Sequence, residues 1–170
     1  MKRIILSSFL AITASNTLAQ VCNPNIVKTK PDAQYVIGGD NEELVIDTET
    51  GLMWMRCSLG KRWYDGNCFN TETRYTWQEA LNVADTFKYS GFDDWRLPNI
   101  KELGSLLELA CRDAPINEVM FPNTVQTYYW SASNDAYNAK DAWIVFFASG
   151  RHINTAKNTP LAVRLVRNGQ

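Results

Sequence analysis

Asp94-Trp95-Arg96-Leu97-Pro98-Asn99-Ile100-Lys101-Glu102-Leu103 is the stretch on which the fold of this chain turns. Asn99, with Glu102 three residues on, is a capping box: each side chain can satisfy a backbone N–H at a helix start. Pro98 fixes the turn just before it. Ile100, Leu103, Leu106, Leu107 and Ala110 then recur at helical spacing and predict a second helix ending near Cys111. Trp95 and Arg96 read as a structural lock on that helix entry, a buried indole and a guanidinium paired with a carboxylate.

Working toward the N-terminus, Thr76-Trp77-Gln78-Glu79 is another capping box, and Trp77, Ala80, Leu81, Ala84 and Phe87 share a helical stripe. This first helix is expected from about Trp77 to Lys88, stopped by Tyr89-Ser90-Gly91. Before it, Leu44-Val45-Ile46 and Leu52-Met53-Trp54-Met55 flank the turn Asp47-Thr48-Glu49-Thr50-Gly51, as a β-hairpin would. Residues 20–43, with Pro24, Pro31 and Gly38-Gly39, read as an irregular arm.

On the C-terminal side the period changes. Residues 128–132 and 142–147 read as strands, Ser149-Gly150 as a turn, and Arg151-His152-Ile153 as a short strand. Ala162-Val163-Arg164-Leu165-Val166-Arg167 alternates apolar with basic residues, the pattern of a half-exposed closing strand. Helices confined to the middle and antiparallel strands at both ends make an α+β domain over residues 44–168.

The N-terminus is read as an export signal. Lys2 and Arg3 precede a short apolar run from Ile4 to Ile12, with small residues at Thr17 and Ala19, and cleavage is expected after Ala19. The run is shorter than the ~20 residues a membrane span needs, and Leu18-Ala19-Gln20-Val21 lacks the small residue expected before a lipidated Cys22. Loss of residues 1–19 removes Lys2 and Arg3 and no carboxylate, taking the formal net charge from −1 to −3. Such a balance gives no general attraction to nucleic acid or to an anionic membrane. A periplasmic or secreted location makes the four cysteines a disulfide framework. Cys57 with Cys68 closes a local loop, which leaves Cys22 with Cys111. A zinc site is disfavoured, because no closely spaced cysteine pair exists and His152 is the single histidine.

Five blocks carry a family resemblance: Asp47-x-x-Thr50-Gly51-Leu52-Met53-Trp54, Thr76-Trp77-Gln78-Glu79-Ala80, Asp94-Trp95-Arg96-Leu97-Pro98-Asn99-x-x-Glu102-Leu103, Trp130-Ser131-Ala132-Ser133 and Val163-Arg164-Leu165-Val166-Arg167. In this order they resemble the Lcl C-terminal domain family, named after the terminal domain of a bacterial collagen-like adhesin. The resemblance implies a C-type lectin-like fold, shared with formylglycine-generating enzymes. The founding adhesin's domain binds sulfated polysaccharides, but this chain has no collagen-like stalk to present many copies. Fold likeness alone does not transfer a function.

No catalytic or cofactor set emerges from the residues. Formylglycine-type chemistry needs a reactive cysteine pair near the end of the domain, and no cysteine follows Cys111. The Glu-Pro-Asn and Gln-Pro-Asp loops of calcium-dependent lectins are absent. Ser133-Asn134-Asp135 is the nearest approach to their second segment, too few oxygens for calcium. Asp65-Gly66-Asn67 and Asp93-Asp94 read as ordinary turns. The candidate ligand face is the C-terminal loop region: Tyr137, Asn138, Lys140, Arg151, His152, Asn154, Lys157 and Asn158. Amides, cations and one aromatic are the types that bind hydroxyls or sulfates. The expectation is an exported, non-catalytic binding module without cofactor or metal, recognising a glycan or envelope ligand. The alternative is a periplasmic protein-binding factor: an inhibitor, immunity or envelope assembly protein.

Overall fold

The computed structural model describes residues 20–169, so the signal segment expected at residues 1–19 lies outside the described residues. In chain order the elements are β1 (Val21–Cys22), β2 (Tyr35–Gly38), β3 (Leu44–Asp47), β4 (Leu52–Met55), β5 (Arg62–Tyr64), β6 (Asn67–Phe69), α1 (Trp77–Thr86), α2 (Ile100–Gly104), β7 (Cys111–Arg112), β8 (Tyr128–Asn134), β9 (Asp141–Phe146), β10 (Arg151–Ala156) and β11 (Val166–Asn168). The chain is thus mixed α and β, with two helices and mostly antiparallel strands.

β11-β4-β3-β2 form a four-stranded sheet and β10-β9-β8 a three-stranded one; β1-β7 and β5-β6 are two-stranded. The predicted hairpin is present, with Leu44 opposite Met55 and Asp47 opposite Leu52. The arm is less irregular than its prolines and glycines suggest. Tyr35-Val36-Ile37 are strand formers, and they pair with β3 as the sheet's outer strand. The bridge between Cys22 and Cys111 holds β1 to β7, and that between Cys57 and Cys68 closes the segment containing β5 and β6. Both are the expected pairings.

Both helices begin at their capping boxes. The Thr76 side chain accepts from the Glu79 N–H, and the Asn99 side chain accepts from those of Lys101 and Glu102. α1 ends at Thr86, two residues before the expected Lys88, and the Phe87 N–H closes the last turn on the Ala84 carbonyl. α2 is far shorter than its apolar stripe predicts. Leu103, Leu106 and Leu107 are all buried, but Leu106 and Leu107 donate to carbonyls three residues back, in tight turns rather than helix. A helical stripe cannot distinguish the two, since i, i+3 neighbours share a face in both.

α1 and α2 lie on opposite faces of the three-stranded sheet. One apolar cluster joins Ala80 and Ala84 of α1 to Trp130 and Ile144. The other joins Leu103 of α2 and the following Leu106 to Tyr129, Val145, Val45 and Trp54. Between the two larger sheets runs the segment from Leu161 to Val166. The Trp130 N–H donates to Ala162 O, the Leu59 N–H to Val163 O, and the Met55 N–H to Leu165 O. Flanked on both sides, this segment is wholly buried, Arg164 included, instead of half-exposed as its alternation predicts.

The Trp95-Arg96 lock forms as expected. Trp95 is buried, and both terminal nitrogens of Arg96 donate to the Glu102 carboxylate, at 2.7 and 2.8 Å. Burial alone would raise the Glu102 pKa. The Arg96 and Asn99 donors outweigh it, and the carboxyl is held below its ordinary value.

Candidate functional site

The eight residues expected to form a ligand face separate into two groups. β10 carries Arg151, His152 and Asn154, and its six residues place Arg151 roughly 17 Å from Ala156. Lys157 and Asn158 follow that far end, beside the β8–β9 loop that holds Tyr137, Asn138 and Lys140. Most polar groups here are already used. The Lys157 ammonium donates to the Asn134 side chain at 2.6 Å and to Ala139 O at 2.8 Å, and lies 4.3 Å from the centre of the Trp77 ring. Asn154 donates to Asp135, Asn138 donates to Asp141, and the Asn138 side-chain oxygen accepts from the Lys140 N–H. The Tyr137 ring stands clear, 99% exposed, and the Arg151 and Asn158 side chains are exposed too. These bonds make the region a stiff tie between a loop and an edge strand.

His152 sits at the other end, over Gly104. A Cβ at that glycine would fall 2.5 Å from the imidazole Nε2, so the space left by the missing side chain is where the ring packs. With Ile100, Lys101 and Trp143 it lines a shallow hollow of about 430 Å³.

A larger cleft, about 720 Å³, opens where the sequence shows only turns. Its first wall is the β5–β6 hairpin. Asp65 and Gly66 occupy its two-residue turn, both with positive φ (46° and 78°), the backbone that Asp-Gly favours. Alternation along the strands puts Trp63 opposite Cys68 on the inner side and Arg62 opposite Phe69 on the outer side. The Cys57–Cys68 bridge therefore anchors the same face that carries the indole. Trp63 is fixed further by its Nε1–H, which donates to Asn41 O at 2.6 Å, and by the Arg56 guanidinium stacked 4.1 Å from its ring centre. Outside, Tyr64 is 62% and Phe69 49% exposed, with ring centres 6.4 Å apart.

The second wall is the turn before β3. Asn41, Glu42 and Glu43 face the hairpin, and Tyr89 completes the lining. Glu43 is 7% exposed; one oxygen accepts from the Ser90 hydroxyl and the other from the Asn41 N–H at 2.8 Å. Burial, with the Glu43 charge adding to it, pushes the Tyr89 phenol up to about 12, so the phenol stays protonated as a neutral donor at ordinary pH. Arg56 lies behind Trp63. Its three donor groups go to the carbonyls of Met120, Glu42 and Val119 at 2.7 to 2.9 Å.

Arg164, fully buried, braces the segment that leads into the hairpin. One terminal nitrogen donates to the carbonyls of Met55 and Arg56, and the other donates to Thr124 Oγ1 at 2.7 Å and reaches Ser58 Oγ at 3.5 Å. Ser58 in turn shares a 2.7 Å hydrogen bond with the Tyr129 hydroxyl. Burial lowers the Arg164 pKa to about 10, which leaves it charged at neutral pH. A guanidinium thus ties the start of the hairpin to the closing segment and to Thr124.

The signal for the hairpin was in the sequence: Asp65-Gly66 between Trp63-Tyr64 and Cys68-Phe69 is a short-range hairpin signature. No comparable signal links residues 41–43, 62–65 and 89, which only the tertiary fold brings together. Among the described residues no group of three or more histidine, cysteine or acidic side chains is placed to hold a metal ion, and no helix is long and apolar enough to cross a membrane.

The chain belongs to the Lcl C-terminal domain family, whose model matches residues 43–167. No curated protein matches it.

Proposed function

We propose that this member of the Lcl C-terminal domain family is an exported, non-catalytic module that binds a surface polysaccharide or another envelope ligand in the cleft beside the Cys57–Cys68 hairpin. One observation carries the reading: Trp63, Tyr64 and Tyr89 meet Asn41, Glu42 and Asp65 around a single opening. Ring faces pack against the C–H faces of a sugar while carboxylates and amides take its hydroxyls, the mixture that small-ligand sites use. The hairpin, two helices and closing antiparallel strands support a C-type lectin-like assignment for the fold. Both disulfides, with the cationic-then-apolar start of the sequence, support export to the periplasm or beyond. A binding role rather than thiol chemistry is supported by the bridging of all four cysteines.

The test is a glycan array probed with the protein lacking residues 1–19, with and without calcium, beside a Tyr64→Ala variant. Binding that the variant loses is the expected result. Silence on neutral, amino and sulfated glycans alike sinks the reading. A protein partner is the second reading, favoured by exposed Val27 (87%) and Leu109 (68%) on segments close to the Cys22–Cys111 bridge. Co-purification that a Leu109→Asp change abolishes, with the array silent, would select it.

A further inference from the structure

Resting on the polysaccharide reading of the cleft, we infer that its ligand carries a positive charge: a sugar with a free ammonium group, in place of the sulfated chains bound by the family's founding adhesin. The central observation is Glu43. It is 7% exposed, yet its partners are a hydroxyl and a backbone N–H, both neutral. No lysine or arginine nitrogen lies within 4 Å of it among the described ion pairs, which join other residues. A carboxylate withdrawn from water without a counter-charge is costly, and a cation entering beside it recovers much of that cost. Glu43 is also held in place. A Cβ at Gly39 would lie 2.6 to 2.8 Å from its carboxyl atoms, so the turn closes tightly over it.

The rest of the cleft has the same bias. Glu42 and Asp65 add two carboxylates to the walls. Of the two cations nearby, Arg56 spends its donors on three carbonyls behind the Trp63 ring. Arg62 also lines the cleft, where its guanidinium lies 5.8 Å from the centre of the Tyr64 ring; against the carboxylates of Glu42, Glu43 and Asp65 this one cation leaves the lining acidic. The rings of Tyr64 and Tyr89 offer π faces that attract an ammonium. A sulfate would instead be brought against the unneutralised Glu43 and its neighbours, where like charges repel.

The experiment is titration calorimetry of the protein lacking residues 1–19 against three tetrasaccharide probes: β-1,4-linked glucosamine, its N-acetylated counterpart, and a sulfated tetrasaccharide. The amino probe is expected to bind about tenfold more tightly than the acetylated one, the scale of a cation–π contact combined with a partly desolvated ion pair. Asp65→Asn keeps a residue that tolerates positive φ, and with Glu42→Gln it should erase most of that preference. Glu43→Gln, checked for an intact thermal transition, should erase it as well. Equal or tighter binding of the acetylated or sulfated probe overturns the charge inference while the polysaccharide reading stands. Failure of all three probes, with the array also silent, removes the polysaccharide reading and this inference with it. Binding of a lysine-rich peptide in place of any sugar overturns both and points to a protein ligand.

Discussion

The two polar surfaces of this domain, one rich in cations and amides and the other in carboxylates and aromatic rings, also differ in where their hydrogen bonds go. Around the β8–β9 loop, Lys157, Asn154 and Asn138 are all bonded to Asn134, Asp135, Ala139 or Asp141, so the charges and amides close on each other. In the cleft the stiffening is done from behind: a disulfide under β6, Arg56 beneath Trp63, and Arg164 below the hairpin's root. In front, the side chains of Tyr64, Tyr89, Glu42 and Asp65 make no hydrogen bond to protein among the described residues, whereas the two Glu43 oxygens accept from Ser90 and Asn41. Polar side chains mark both surfaces, but on the first Asn138, Asn154 and Lys157 are spent on protein partners.

If that division is right, damage behind the cleft costs far more stability than damage in front of it. Arg164→Ala carries the largest expected effect. It leaves the Met55 and Arg56 carbonyls without their donor and opens a cavity between two sheets, at a cost of about 3–5 kcal/mol in urea unfolding. A loss under about 1 kcal/mol would mean that those carbonyls find other donors, and the segment leading into the hairpin would not depend on Arg164. Next comes the double change Cys57→Ser with Cys68→Ser. Opening a loop this short is worth about 2–3 kcal/mol in the chain-entropy picture. The added expectation is specific to the cleft: glycan binding should fall even where the protein remains folded, because β5–β6 loses its anchor under Trp63. Unchanged affinity in a folded double variant would move the site elsewhere.

Lys157→Ala is expected to cost less, about 1 kcal/mol, for two hydrogen bonds and a contact with the Trp77 ring. Its value lies in what it should leave alone. On the cleft proposal glycan affinity should be unchanged, because the Lys157 contacts tie the β8–β9 loop to the end of β10 and lie outside the cleft lining. A fall in affinity with stability intact would restore the C-terminal face as the binding surface.

Helix starts and disulfide pairing were legible in the sequence because each rests on a local or near-forced choice. Thr76 with Glu79 and Asn99 with Glu102 can hardly satisfy one another except at a helix N-terminus. Tertiary placement was not legible. Arg164 and Arg167 alternate with apolar residues as exposed side chains would, but Arg164 lies in the segment between two sheets and Arg167 on β11, both buried. Arg164 there finds carbonyls, and Arg167 finds the Asp94 carboxylate at 2.6 Å and the Phe92 ring. How the expected ligand face is arranged was not legible for a related reason. Sequence shows which side chains can bind hydroxyls, and it does not show that Lys157 reaches back to Asn134 and Ala139. The cleft was missed because residues 41–43, residues 63–65 and Tyr89 become neighbours only once the hairpin folds against the turn before β3.

The smallest stability change should separate the two surfaces most sharply. Tyr64 and Tyr137 are both exposed tyrosines on loops or hairpins, at 62% and 99%, so replacing either by alanine should alter unfolding by no more than about 0.5 kcal/mol. Neither phenol donates to a protein partner that would be orphaned. Their surroundings differ: Tyr64 stands beside Trp63 and Asp65 at the cleft mouth, whereas Tyr137 projects from a loop whose polar groups are satisfied. Tyr64→Ala should therefore weaken glycan binding about tenfold, as expected when a stacked aromatic face is lost, and Tyr137→Ala should leave it within about twofold. Because both variants are equally stable, a difference between them reads the ligand site directly and not the fold. The reverse ranking would assign the ligand to the loop between β8 and β9 and leave the cleft's uncompensated carboxylate without a role in recognition.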